Sequence, residues 1–153
     1  MDVQSVLVIE SNEQIGTKIK SALQGAGFMV TCVANALEGL EQLCTSSYSL
    51  IVMNSSLPEV CGEDARVLIR RACYLPIIVI GERQDVAESL ELGADAFIAT
   101  PPLLRELVAR VKSLLSRKLS LTYKNSTINW DNQILTNYFV LSDDDIKDQY
   151  GNN

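Results

Sequence analysis

Five short apolar runs set the architecture of this chain. They occupy residues 6–9, 28–33, 50–53, 76–80 and 96–99, and Val, Ile and Leu dominate the first, third and fourth. A run of four or five residues without polar alternation is the pattern of a strand covered on both faces, as in a parallel sheet flanked by helices. Between the runs, apolar residues return at helical spacing. They are Ile15, Ile19, Ala22 and Leu23, then Leu37, Leu40, Leu43 and Cys44, then Ala65, Leu68, Ile69 and Ala72. A short helix is expected over 85–92, and a last one carries Leu104, Leu107, Val108, Val111, Leu114 and Leu115. Ser11 or Asn12, and Asn35, stand where helix caps belong, and Gly25, Gly27 and Gly93 where helices stop. Pro102 suits the first position of the last helix, where its missing N–H costs nothing, and that helix is expected to reach about Leu119. Strand and helix alternating five times imply a parallel sheet with right-handed crossovers and helices on both faces. The expected fold is α/β, a (βα)5 doubly wound parallel sheet of order 2-1-3-4-5.

In open α/β sheets the working crevice lies just past the carboxyl ends of the strands. The third run stops there at Asn54, and a short loop follows to Pro58. Glu10 and Ser11 follow the first strand, Gly81 closes the fourth, and Thr100 follows the fifth ahead of Pro101 and Pro102. The candidate site is therefore sought around Asn54 at this rim.

Composition limits what that rim can do. The 153 residues contain no His, which excludes histidine-based acid–base, nucleophilic and phosphorelay chemistry within them. Cys32, Cys44, Cys61 and Cys73 are widely spaced with no Cys-x-x-Cys pair, so they are expected as reduced apolar residues and not as zinc ligands. The net charge is -6 with Lys and Arg scattered, which offers no basic face for a phosphate backbone. No apolar run nears the roughly 20 residues needed to span a bilayer, and the start has no basic segment before an apolar core. A soluble, cytoplasmic protein is expected.

Past residue 118 the pattern changes. Residues 121–123, 127–130 and 134–141 alternate apolar and polar side chains around turns at 124–126 and 131–132, which predicts short antiparallel strands. Residues 142–153 are acidic and polar. The expected plan is a domain over 1–118, a β appendage over 119–141 and an acidic tail over 142–153.

Residues 4–118 resemble the receiver domain of two-component response regulators, a flavodoxin-like fold. Val6-Leu7-Val8-Ile9 resembles its first strand, and Asn54 with Pro58 and Gly62 resembles the phosphoacceptor and its loop. Pro76-Ile77-Ile78-Val79 resembles strand four, and Leu92-Gly93-Ala94-Asp95-Ala96-Phe97 the segment leading through strand five. Pro101 and the run from Arg105 to Val111 complete the match. Such receivers move a phosphoryl group from a partner histidine kinase to their own Asp. The reaction needs a carboxylate nucleophile, two further carboxylates for Mg²⁺, a Lys, and a Thr or Ser hydroxyl. Here Asn54 stands at the nucleophile, Glu10 and Ser11 at the acidic pair, Gly81 at the hydroxyl and Thr100 at the Lys. A neutral amide cannot form an acyl phosphate, and Glu10 alone is a weak Mg²⁺ site. The resemblance therefore implies a degenerate phosphorylation site with no catalytic residue, no metal and no cofactor, and no enzyme. Ser55 and Ser56 are hydroxyls near Glu10 but lack a base of suitable pKa.

The resemblance also assigns Phe97 to the switch aromatic, expected to turn inward toward the space left by Gly81. It implies a homodimer through helix four, strand five and helix five, about residues 86–117, with Asp95, Arg105, Glu106 and Arg110 as interface candidates. Residues 121–141 resemble the sheet that opens the DNA-binding domain of winged-helix response regulators, but no recognition helix follows, so DNA contact would come only through a domain outside this chain. The leading expectation is a phosphorylation-independent pseudo-receiver that controls dimerisation of a transcription regulator. An interaction adaptor that binds a protein partner without DNA, and an active phosphotransfer receiver, are the alternatives.

Overall fold

The computed structural model describes the backbone of residues 3–127 and the side chains of residues 3–117. In chain order the elements are β1 (Ser5–Ile9), α1 (Glu13–Gly25), β2 (Met29–Val33), α2 (Ala36–Thr45), β3 (Leu50–Asn54), α3 (Ala65–Ala72), β4 (Ile77–Gly81), α4 (Val86–Glu91), β5 (Ala96–Ala99) and α5 (Leu104–Thr127). A single 3₁₀ turn, Arg83–Asp85, leads into α4. The five strands are parallel and lie in the order β2-β1-β3-β4-β5, which is the expected doubly wound sheet. Backbone packing divides the chain into a compact unit, Met1–Ser113, and a second unit, Leu114–Asn153, whose described part is the end of α5.

Strand side chains alternate between the two faces of a sheet. Leu7, Ile9, Ile51, Met53, Ile77 and Val79 share one face and form a buried cluster with Ala36 of α2 and Ala65 and Ile69 of α3. Val6, Val8, Val52, Ile78 and Ile80 alternate with them, all nearly inaccessible. Ile19 and Leu23 of α1 and Leu107 and Val111 of α5 are also fully buried and lie outside the first cluster, so they belong with this second face. Gly39 lets α2 sit close on the sheet: a Cβ there would lie 2.6 Å from Ile9 Cδ1.

The predicted caps form. Asn12 Oδ1 accepts from the Ile15 N–H at 3.0 Å, and Asn35 Oδ1 from the Glu38 N–H at 2.9 Å. These bonds satisfy donors that the first helical turn leaves without partners.

Several expectations need correction. The last helix starts at Leu104, not Pro102, because the first helical acceptor is the Leu103 carbonyl, bonded to the Leu107 N–H at 3.0 Å. The same helix continues through Thr127, so the strand expected at 121–123 and the helix end at Leu119 are both overturned. No Gly or Pro interrupts residues 104–127, and each added residue of a formed helix gains another backbone hydrogen bond. The strands expected over 128–141 and the tail at 142–153 lie outside the described residues. In α2 the buried positions are Ala36 and Gly39, and Leu37 is exposed; small residues face the sheet because the helix packs so closely. In α3 Arg66 is buried where the apolar pattern pointed to Ala72, which is exposed.

Candidate functional site

The strand register assembles the rim. Ile9 is level with Met53, so Glu10 comes level with Asn54; Ile80 is level with Asn54, so Gly81 comes level with Ser55. Gly81 pairs with Ala99, and the Thr100 N–H donates to the Gly81 carbonyl at 2.8 Å. All five candidate residues therefore end at the same edge. Ser11 is exposed, Asn54 and Thr100 are half-buried, and Glu10 is buried.

The hydrogen bonds at Asn54 have one consistent direction. The Ser56 backbone N–H can only donate, and it lies 2.8 Å from Asn54 Oδ1, which also accepts from Ser56 Oγ at 2.7 Å. That places the amide oxygen toward Ser56 and the NH₂ toward Glu10, where Nδ2 donates to Oε1 at 2.9 Å. The other carboxylate oxygen of Glu10 accepts from the Asn12 N–H at 3.0 Å. Both oxygens of the one rim carboxylate are thus engaged by protein donors.

These groups do not fit the Mg²⁺ expected of such a fold. A hard cation needs converging oxygens with negative charge. Asn54 turns its donors, not its oxygen, toward Glu10, and no group of three His, Cys, Asp or Glu among the described residues is placed to hold a metal ion. The group that faces Glu10 is an amide donor, where a cation site would need a second charged oxygen.

Gly81 removes a side chain, but its space is filled. A Cβ on Gly81 would lie 2.0 Å from Ser55 Oγ and 2.8 Å from Ser55 Cβ. Ser55 Oγ donates to Asp85 Oδ2 at 2.9 Å, and the same oxygen accepts from the Glu82 N–H at 3.3 Å. Phe97 is half-buried against the first-face cluster beside its register partner Val79. The expectation that Phe97 points to a gap over Gly81 is corrected to this extent: the position beside Gly81 belongs to Ser55.

Glu10 and Ser11 also border an open cleft of about 480 Å³ with Glu13, Lys20, Cys32 and Glu38, between α1 and the start of α2; Asn54, Gly81 and Thr100 do not line it. Burial pushes the Cys32 thiol above its ordinary pKa, which makes it a poorer nucleophile.

The interface candidates sit as follows. Asp95 Oδ2 accepts from the Ile77 N–H at 2.8 Å and lies 3.3 Å from Arg70 Nη1. Arg110 and Glu106 are 3.7 Å apart along α5, and Arg105 is exposed. Exposed apolar side chains in this region are Val86 and Leu90 of α4 and Leu103, just before α5.

Two contacts had no strong signal in the sequence, because each joins residues more than 20 apart with no shared periodicity. One is Ser55 with Asp85. The other is Arg66, whose Nη1 donates to Ser89 Oγ at 2.7 Å and whose Nη2 donates to Glu88 Oε1 at 3.0 Å. Arg66 also pairs through Nε and Nη2 with both oxygens of Asp64, at 3.0 and 2.8 Å. Those bonds hold the Asp64 carboxyl below the ordinary carboxylate range and the guanidinium above its own usual value. The available hint was position: Arg66 lies next to Ala65 and three residues before Ile69, on the buried stripe of α3.

Known proteins give the same picture. The transcriptional activator protein IrlR of Burkholderia pseudomallei is 36% identical over 115 residues, 73% of this chain and 50% of that protein. The transcriptional regulatory protein CusR of Escherichia coli is 34% identical over 116 residues, 73% of this chain and 51% of that protein. The chain thus matches about half the length of these curated relatives. Among solved structures, the receiver domain of the TMAO respiratory system response regulator TorR aligns with a TM-score of 0.68 at 29% identity, covering 74% of this chain and 98% of that one. The receiver domain of Francisella response regulator 1452 gives 0.68 at 25%, covering 75% and 98%. The response regulator receiver domain profile matches residues 6–112, a span that holds the rim and all of the sheet but Ser5, and the chain belongs to that family.

Proposed function

We propose that this is a phosphorylation-independent receiver domain, cytoplasmic, which controls dimerisation of a transcription regulator whose DNA-binding part lies outside the chain. The observation that carries this reading is the Asn54 to Glu10 hydrogen bond at 2.9 Å. It closes the rim with a neutral amide, where phosphoryl transfer calls for an ionised nucleophile and a cation. Gly81 and Thr100 add neither a side-chain hydroxyl at strand four nor an ammonium after strand five. The rim is a degenerate phosphorylation site, and no side chain in it is catalytic. The IrlR and CusR likenesses support a transcriptional setting.

Output then comes from the surface of α4, β5 and α5. Asp95, Arg105, Glu106 and Arg110 are the charged candidates for a two-fold interface, around the exposed Val86, Leu90 and Leu103. Exposed apolar residues on that face serve equally an adaptor that binds a different protein, which is the second reading. The test combines mass and oligomeric state. Intact mass after acetyl phosphate and Mg²⁺ should be unchanged, for the parent and for Asn54→Asp; a gain of one phosphoryl group on the parent overturns the reading. Light scattering should show a dimer that Arg110→Glu converts to monomer. A parent monomer that captures no second copy favours the adaptor.

A further inference from the structure

Three polar side chains are buried among the described residues: Glu10, Arg66 and Ser89. Glu10 belongs to the rim. Arg66, 7% exposed, and Ser89, fully buried, are bonded to each other. A buried guanidinium is retained only where its donors find partners, and this one finds them on two elements, Asp64 at the start of α3 and Ser89 and Glu88 in α4.

The composition of α4 makes this contact decisive. Of its six residues Ser89 alone is buried, and Val86, Ala87, Glu88, Leu90 and Glu91 are all exposed. Helices in proteins are ordinarily held by an apolar face, and a six-residue helix has little stability of its own. The side chains of α4 supply no such face, so its polar bonds must hold it. The second tie is Ser55 to Asp85, the residue immediately before α4. Ser55 adjoins Asn54 at the rim, and Arg66, in the first turn of α3, is held by Asp64 at the end of the loop from it.

We propose that α4 is docked by a two-point polar tether, Arg66 to Ser89 and Ser55 to Asp85, which makes α4 open as a unit ahead of the sheet. The Ser55 hydroxyl, seated over Gly81, provides the near end of that connection, and the Arg66 guanidinium the far end. The tether does not depend on whether the rim accepts a phosphoryl group. Release of α4, which packs against β5, would carry away its exposed apolar residues Val86 and Leu90.

Hydrogen–deuterium exchange on the full 153-residue chain tests this. The reporters are the amides of Leu92, Gly93 and Ala94, which bond back to the Glu88, Leu90 and Ser89 carbonyls at 2.9 to 3.1 Å. Arg66→Met keeps apolar bulk but loses every donor. It should speed exchange at these amides roughly tenfold or more, the scale set by loss of a charge-assisted hydrogen bond, with β1 and β3 amides unchanged. Ser89→Ala and Ser55→Ala should act in the same direction with smaller effect, and Ser55→Ala without touching the Asp64–Arg66 pair. Unchanged α4 exchange in folded Arg66→Met overturns the tether. If that variant does not fold, unchanged exchange in both serine variants overturns it.

Discussion

Replacing Gly81 with Ala tests whether Ser55 has taken over the space at strand four. Alanine is normally the better strand residue, worth about 0.5 to 1 kcal/mol over Gly. Here the new Cβ would meet Ser55 Oγ at 2.0 Å and Ser55 Cβ at 2.8 Å. Rotating the hydroxyl relieves the first clash but not the second, because Ser55 Cβ is fixed to a backbone whose N–H bonds the Ile80 carbonyl at 2.8 Å. Backbone shift or overpacking costs about 1 to 3 kcal/mol. Loss of the Ser55–Asp85 hydrogen bond, which has a charged acceptor, costs about 1.5 to 3 kcal/mol, with the lower end fitting a partly solvated pair. The net expectation is a loss of about 2 to 4 kcal/mol, combining the overpacking and hydrogen-bond costs and subtracting the strand gain. Urea unfolding of Gly81→Ala, Ser55→Gly and the double variant measures it as a cycle. Ser55→Gly should cost the hydrogen bond, and adding Gly81→Ala to it should cost nothing further. A Gly81→Ala variant within about 0.5 kcal/mol of the parent, or penalties that simply add, would refute the reasoning.

Gly39→Ala should destabilise despite a helix-propensity gain of about 1 kcal/mol, since its Cβ would lie 2.6 Å from the buried Ile9 Cδ1. Combining it with Ile9→Val, which removes that atom, should make it neutral or stabilising in thermal melts, and a stabilised single variant rejects the close approach of α2. The Asp64 carboxyl titrates below its unfolded value near 3.9, because Arg66 donates to it. Its contribution is therefore complete above about pH 4 and disappears as pH falls through the lower folded value. The stability difference between parent and Asp64→Asn, which keeps a capping side chain, should be constant near neutral pH and vanish in acid. A difference independent of pH down to about 2 would remove the ion pair from the account.

The fold was legible because its determinants are local. Unbroken apolar runs such as 50–53 and 76–80 specify buried parallel strands, and Asn12, Asn35 and Gly93 mark helix ends by single-residue chemistry. The rim followed from the fold, since a parallel sheet brings Glu10, Asn54, Gly81 and Thr100 to one edge whatever their identity. What escaped was detail decided by close packing. Nothing local says that Gly39 and not Leu37 faces the sheet, because the choice depends on how near α2 can come to Ile9. Arg66 did not stand out, because α3 places two more arginines, Arg70 and Arg71, within five residues. The end of α5 was missed for a different reason. Residues 121–123 alternate as a strand would, and that weak local pattern lost to continuation of a helix that nothing terminates.

The departures at the rim are physically linked and not four independent losses. Asn54 satisfies one oxygen of Glu10 with a single amide N–H donation; an Asp there would set a second carboxylate about 2.9 Å from that oxygen, where two like charges cannot both ionise without a cation between them. The Ser11 position adds no carboxylate to hold that cation. Gly81 is the small residue that leaves room for Ser55, so restoring a Thr at 81 collides with the residue beside Asn54. Each substitution makes the next one self-consistent. Reversal of any single one therefore meets a rim built around the others, so on the proposed reading Asn54→Asp alone should take up no phosphoryl group, and a phosphorylatable rim should require changes at Asn54, Ser11, Gly81, Ser55 and Thr100 together.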